Sequence, residues 1–443
     1  MSTMPGQQHT YLIERGLRYY DDRAHGLLEV LPDGAPSTIE QVRSWHPAYA
    51  DSTNDSIVLA ASSRQFTLAD ARIVYARQHG FASWAHFAEH VEQLGAGELD
   101  EPFVQLMEAG KVGDWLRVRS ILGDSPELLR ARGTNGNTLL NLACSLVACS
   151  APIAQHKSVS KEPDARRLDA VRLLLDAGAD PNQANDRGWT PLHQAGYRND
   201  PDMVALLLEA GARAEAEAHG AGGTPLAVAL FWGHRESSEL LARSGVLPRN
   251  LRVAAGLGRE DLVQECFTPD GQLTASASSA RRFYRPHSGF PFWTPSSNPQ
   301  EVLDEALVWA AKSDRIEIMP SLVTRGANIS ADPYRGTALA WAAANGRVRA
   351  AKWLLEHGAD VNSRATFGGM THGKGVTALH LASQKGDLAM VKFLVERGAD
   401  LTIPDAIYHS TPAGWASHSG ATEVVAYLEV TSRGAGRGES ADE

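Results

Sequence analysis

Two kinds of apolar stretch alternate along most of the 443 residues. One is short and rich in alanine, as in Trp341-Ala342-Ala343-Ala344. The other carries larger apolar residues, as in Val391-Lys392-Phe393-Leu394-Val395-Glu396, and ends on a glycine. Neither stretch is long enough to bury its own apolar face, so the pattern predicts paired short helices that stack on neighbouring pairs. The closing glycines belong to a recurring phrase of the form Asp/Glu-x-Gly-Ala at Gly178, Gly211, Gly326, Gly358 and Gly398. Gly178 to Gly211 is 33 residues and Gly326 to Gly358 is 32. Such a glycine permits the left-handed residue that ends a helix.

A second phrase keeps the same period. Thr190-Pro191-Leu192-His193 is followed by Thr224-Pro225-Leu226, Thr337-Ala338-Leu339, Thr377-Ala378-Leu379-His380 and Thr411-Pro412. The steps from Thr190 to Thr224 and from Thr377 to Thr411 are both 34 residues. A threonine hydroxyl caps the first helix, and proline fits its first position because the missing N–H would be unpaired there anyway. Two independent motifs in one register resemble the ankyrin repeat. That resemblance implies an all-α solenoid of about nine helix pairs, near 102–131, 138–178, 190–211, 224–245, 250–267, 301–326, 337–358, 377–398 and 411–429. It also implies that the imidazoles of His193 and His380 bond backbone in the adjoining turn.

Residues 1–100 do not keep the repeat. Thr67 and Ser83 read as helix N-caps and Gly80 as a C-cap. The run Ala76-Arg77-x-x-Gly80-Phe81-x-Ser83-Trp84 resembles the preface of many bacterial ankyrin-repeat proteins, with Phe87 where leucine is usual. The expected division is a helical cap over 1–100, the repeats over 101–430 and a disordered tail over 431–443. Insertions are expected near 146–165, 268–300 and 363–375, because Thr138 to Thr190, Gly245 to Gly326 and Gly358 to Gly398 span 52, 81 and 40 residues.

In proteins of this kind, partner contacts come from turn tips and from the ends of the first helices. By register those positions include Trp189, Tyr197, Arg198, Phe231, Trp232, Tyr334 and Arg335. Aromatic residues and arginine carry much of the energy of protein interfaces. The aromatic, arginine-rich insertion contributes Tyr284, Arg285 and His287, and the glycine-rich one contributes His372. Trp309, Trp341 and Trp415 share one register position and read as core.

Composition narrows the class of partner. A formal charge of −10 disfavours a phosphate backbone, which needs a local excess of lysine and arginine. Cys144, Cys149 and Cys266 form neither a disulfide framework nor a metal-ligand spacing. The amino terminus lacks an apolar signal core, and no run approaches the length of a membrane helix. No nucleophile elbow, zinc-protease motif, phosphate loop or C-x-x-C occurs. The expectation is a cytoplasmic, non-catalytic scaffold that holds a protein partner, without cofactor or metal. The alternative is a small-molecule or peptide pocket, or an enzyme site, built by the insertions. The oligomeric state is left open.

Overall fold

The computed structural model describes residues 11–34, 36–133, 136–145, 165–245, 247–282, 295–333, 335–367 and 374–438. Among them are 23 α-helices and no strand beyond isolated bridges. The chain divides into two units, one ending at His219 and the other beginning at Gly220.

The first unit opens with α1 (Leu17–Val30), α2 (Pro36–Trp45), α3 (Asn54–Ser62), α4 (Leu68–Gln78) and α5 (Trp84–Ala96). The expected caps are present. Thr67 and Asp70 form a reciprocal capping box on α4, and the Ser83 hydroxyl accepts from the His86 N–H at 3.4 Å. Phe87, Val91 and Leu94 are buried in one cluster with Val104 of the next helix. Tyr11 N–H donates to the Arg132 carbonyl at 2.7 Å, and Arg15 pairs with Asp100 and Glu108. The amino-terminal helices therefore share a core with the repeats that follow. Those are α6 (Pro102–Val112) with α7 (Trp115–Asp124), α8 (Leu139–Ser145) with α9 (Ala165–Asp176), and α10 (Pro191–Arg198) with α11 (Pro201–Glu209).

The second unit holds six pairs: α12 (Pro225–Phe231) and α13 (Arg235–Arg243), α14 (Leu251–Leu257) and α15 (Glu260–Glu265), α16 (Pro299–Lys312) and α17 (Met319–Thr324), α18 (Ala338–Ala344) and α19 (Val348–Glu356), α20 (Ala378–Lys385) and α21 (Leu388–Glu396), α22 (Pro412–Ser419) and α23 (Thr422–Gly438). The last helix runs to Gly438, into the stretch expected to be a disordered tail. Thr224, Thr337 and Thr411 accept from the backbone three residues on, as their motif predicts. The degenerate repeat has lost its threonine, and Asn250 caps α14 instead by accepting from the Val253 N–H at 3.0 Å. His380 ties two repeats together. Its Nδ1 accepts from the Thr377 N–H at 3.1 Å, so Nε2 carries the proton and donates to the Ser410 carbonyl, also at 3.1 Å.

A two-bond strut joins successive turns. The Asn182 amide donates to the Gly211 carbonyl at 3.0 Å, and its oxygen accepts from the Arg213 N–H at 2.7 Å. Asn362 makes the same pair with Gly398 and Asp400, at 3.2 and 2.8 Å. At the turn of Gly326 the same two backbone groups are bonded differently. Here Gln300, on α16, donates to the Gly326 carbonyl at 2.8 Å, and Asp304 one turn later accepts from the Asn328 N–H at 2.7 Å. Two helix side chains thus replace one turn asparagine.

Candidate functional site

The ends of the first helices occupy one register position per repeat, and the structure treats them unequally. In the first unit Tyr197 and Arg198 end α10 half-buried. Burial pushes the Tyr197 phenol up and the Arg198 guanidinium down, with neighbouring Arg167 adding to the second shift. Trp189 is less available than its register suggests. Only 8% of it is exposed, and its indole N–H donates to the Gln194 side chain at 2.9 Å. Its ring lies 5.2 Å from His193 and 6.2 Å from Tyr197.

In the second unit the expectation for Phe231 needs correction. Its ring is 1% exposed and lies 5.7 Å from Trp341 and 6.4 Å from Trp309. It is core, not a surface offered to a partner. Trp232 is half-buried and meets Trp341 at 6.5 Å. Arg335 is 4% exposed and adopts φ 61°, so it too is packed within the fold. Tyr284, Arg285, His287, Tyr334 and His372 lie outside the described residues. Trp309, Trp341 and Trp415 are all buried, as their shared register predicts.

The residue that sequence reasoning missed is Lys312, the last of α16 and fully buried. Its ammonium nitrogen sits 4.4 Å from the Phe231 ring centre, 4.8 Å from Trp309 and 4.3 Å from Trp341. Lys312 stands three residues after Trp309, as Ala344 follows Trp341 and His418 follows Trp415. That spacing was the available signal. It was obscured because the repeat lacks the Thr-Pro-Leu-His phrase that sets the register elsewhere.

The backbone around this lysine is closely fitted. Arg347 donates to the Lys312 carbonyl at 3.2 Å and to the Gly233 carbonyl at 2.6 Å. Gly233 has φ 70°, and a Cβ there would stand 2.4 Å from the Lys312 oxygen. Only glycine lets the end of α12 approach so closely.

Beside the lysine runs a buried ion network. Glu305 accepts from Arg252 at 2.9 Å and from Arg281 at 2.5 Å, and Arg281 also bonds Glu301 and the Ser296 carbonyl. The Arg252 guanidinium lies 4.6 Å from the Trp309 ring centre. Burial pushes the Lys312 amine well below its ordinary value; Glu305 opposes this, while Arg252 and Arg335 add to it. Stripping water from an ion costs several kcal/mol, and each desolvated aromatic face returns up to about 2 kcal/mol to a cation. Three faces together are therefore comparable to the cost.

Towards the carboxyl end the register position opens. Gln384, Lys385 and His418 are exposed, and the turn residue Tyr408 is 59% exposed. Among the described residues no cluster of His, Cys, Asp and Glu suits a metal ion, and no helix is long and apolar enough to cross a membrane.

Comparison with known proteins agrees with the repeat geometry. Family models for ankyrin repeats match residues 160–250 and 294–365 in one form and 339–395 in another. Human ankyrin repeat domain-containing protein 63 is 33% identical over 190 residues, 40% of this chain and 45% of that protein. Human ankyrin repeat and SOCS box protein 16 is 37% identical over 99 residues, 22% of this chain and 19% of that one. Protein PhlB of Serratia liquefaciens is 35% identical over 163 residues, 34% of this chain and 63% of that protein. In each case the chain covers less than two thirds of the relative. With the helix pairs, caps and matched segments in agreement, the chain carries ankyrin repeats on an all-helical ankyrin fold.

Proposed function

We propose that the chain is a non-catalytic scaffold that recognises a protein partner through the open ends of its first helices. The observation that carries this reading is the change along one register position. Phe231 and Lys312 are sealed, whereas Gln384 and His418, with Lys385 and Tyr408 beside them, face solvent. In the first unit the half-buried Tyr197 and Arg198 offer the same kind of surface, an aromatic ring with a guanidinium. Ankyrin repeats in the relatives are consistent with a binding role, and they share a frame rather than a target.

The test is a photo-crosslinking amino acid placed at Gln384 or His418, compared with one at Arg349, which is exposed on a second helix. A partner captured from the first two positions and not from the third supports the reading. Equal capture at all three, or capture at Arg349 alone, sinks it.

A further inference from the structure

We propose that the rings of Phe231, Trp309 and Trp341 form an aromatic cage for an organic ammonium group, with the Lys312 side chain as its tethered occupant. The three rings come from α12, α16 and α18, and all their centres lie 4.3–4.8 Å from the lysine nitrogen. A ring face presents negative charge density to a cation at that range, and tryptophan does so most strongly. Trp341 supplies a second observation. Its indole N–H is buried and finds no acceptor among the described residues, a penalty that phenylalanine would avoid. The position therefore retains a ring of greater cation affinity at the cost of an unpaired donor. Gly336 leaves room for it, since a Cβ there would come within 3.2 Å of that nitrogen.

Among the described residues, the charged groups that act on the lysine are Glu305 of its own helix and, from neighbouring elements, Arg252 and Arg335. Arg252 already shares Glu305 at 2.9 Å. The lysine backbone is pinned by Asn345 and Arg347 through its carbonyl, so only the side chain can vacate the cage. The ligand class that fits the vacated space is a primary alkylammonium, the chemical equivalent of what it holds now. This assignment is independent of the partner-binding surface above.

Two variants of the full chain test it. In a plain apolar core, Lys312→Met would remove a buried amine at conserved volume and raise Tm. In a cage it lowers Tm, which is the result we expect. Lys312→Ala should then be stabilised, saturably, by n-propylammonium chloride and not by n-propanol or sodium chloride. A higher Tm for Lys312→Met overturns the cage, as does rescue of Lys312→Ala by propanol to the same extent. If Lys312→Ala does not fold, the sign of the methionine shift decides alone.

Discussion

Phe231 and Gln384 hold the same register position near the ends of equivalent helices, yet one is core and the other surface, and their substitutions should separate accordingly. Phe231→Ala removes a ring from contact with three tryptophans and should cost about 3–5 kcal/mol in urea unfolding. Gln384→Ala should change stability by no more than about 0.5 kcal/mol. A Phe231→Ala protein as stable as the parent would show that the ring is not packed as described. His380 makes a prediction in pH. Burial lowers its pKa, and a backbone N–H occupies the nitrogen that would be protonated. Because the folded-state value lies below the unfolded one, the unfolded state takes up the proton first. Stability is full above the ordinary histidine range near 6.5 and falls as pH drops through that value towards the folded one. Replacing His380 with alanine should flatten that part of the profile; an unchanged acid limb would assign the effect elsewhere.

The elements were the most legible level, because the first helices of most repeats start on a capping side chain and many helices are followed by a glycine at positive φ. Threonine three residues before a backbone donor and glycine at a left-handed position leave little choice. Even the degenerate repeat kept its start by substituting Asn250. Less legible was the strut at Gly326, since no sequence rule says that Gln300 and Asp304 will take over from a missing asparagine. Gln300→Ala should cost about 1 kcal/mol and Asp304→Ala about the same, and the Asn328 amide should exchange faster in the second variant. Unaltered exchange at Asn328 would remove the strut from the account. Truncating Glu305 is expected to be harsher, about 3–5 kcal/mol, because Arg252 and Arg281 would stay buried without their shared carboxylate.

Across the whole molecule, repeat number followed from periodicity, whereas the openness of each register position did not. Openness depends on how closely helix ends from different repeats approach, and that is set by contacts such as Gly233 against Lys312, far apart in sequence. Two buried thiols sample the two units. Burial pushes Cys144, in the first, up to about 12 and Cys266, in the second, up to about 11. Neither should react with an aromatic disulfide at pH 8 in the folded protein, and each should become reactive only when its own unit opens. Rapid labelling of both in the native state would contradict their burial.

The anchoring of residue 281 to residues 296, 301 and 305 bears on how the repeats keep their spacing. Arg281 bonds Ser296, Glu301 and Glu305, and Gln300 of α16 secures the next turn. The register between the repeats on either side is thereby written into side chains at residues 281, 300, 301 and 305. Arg281 is a clasp: through the one carboxylate of Glu305 it holds α14 and α16, remote in sequence, at a fixed spacing, and a chain without it would have to find that spacing by packing alone.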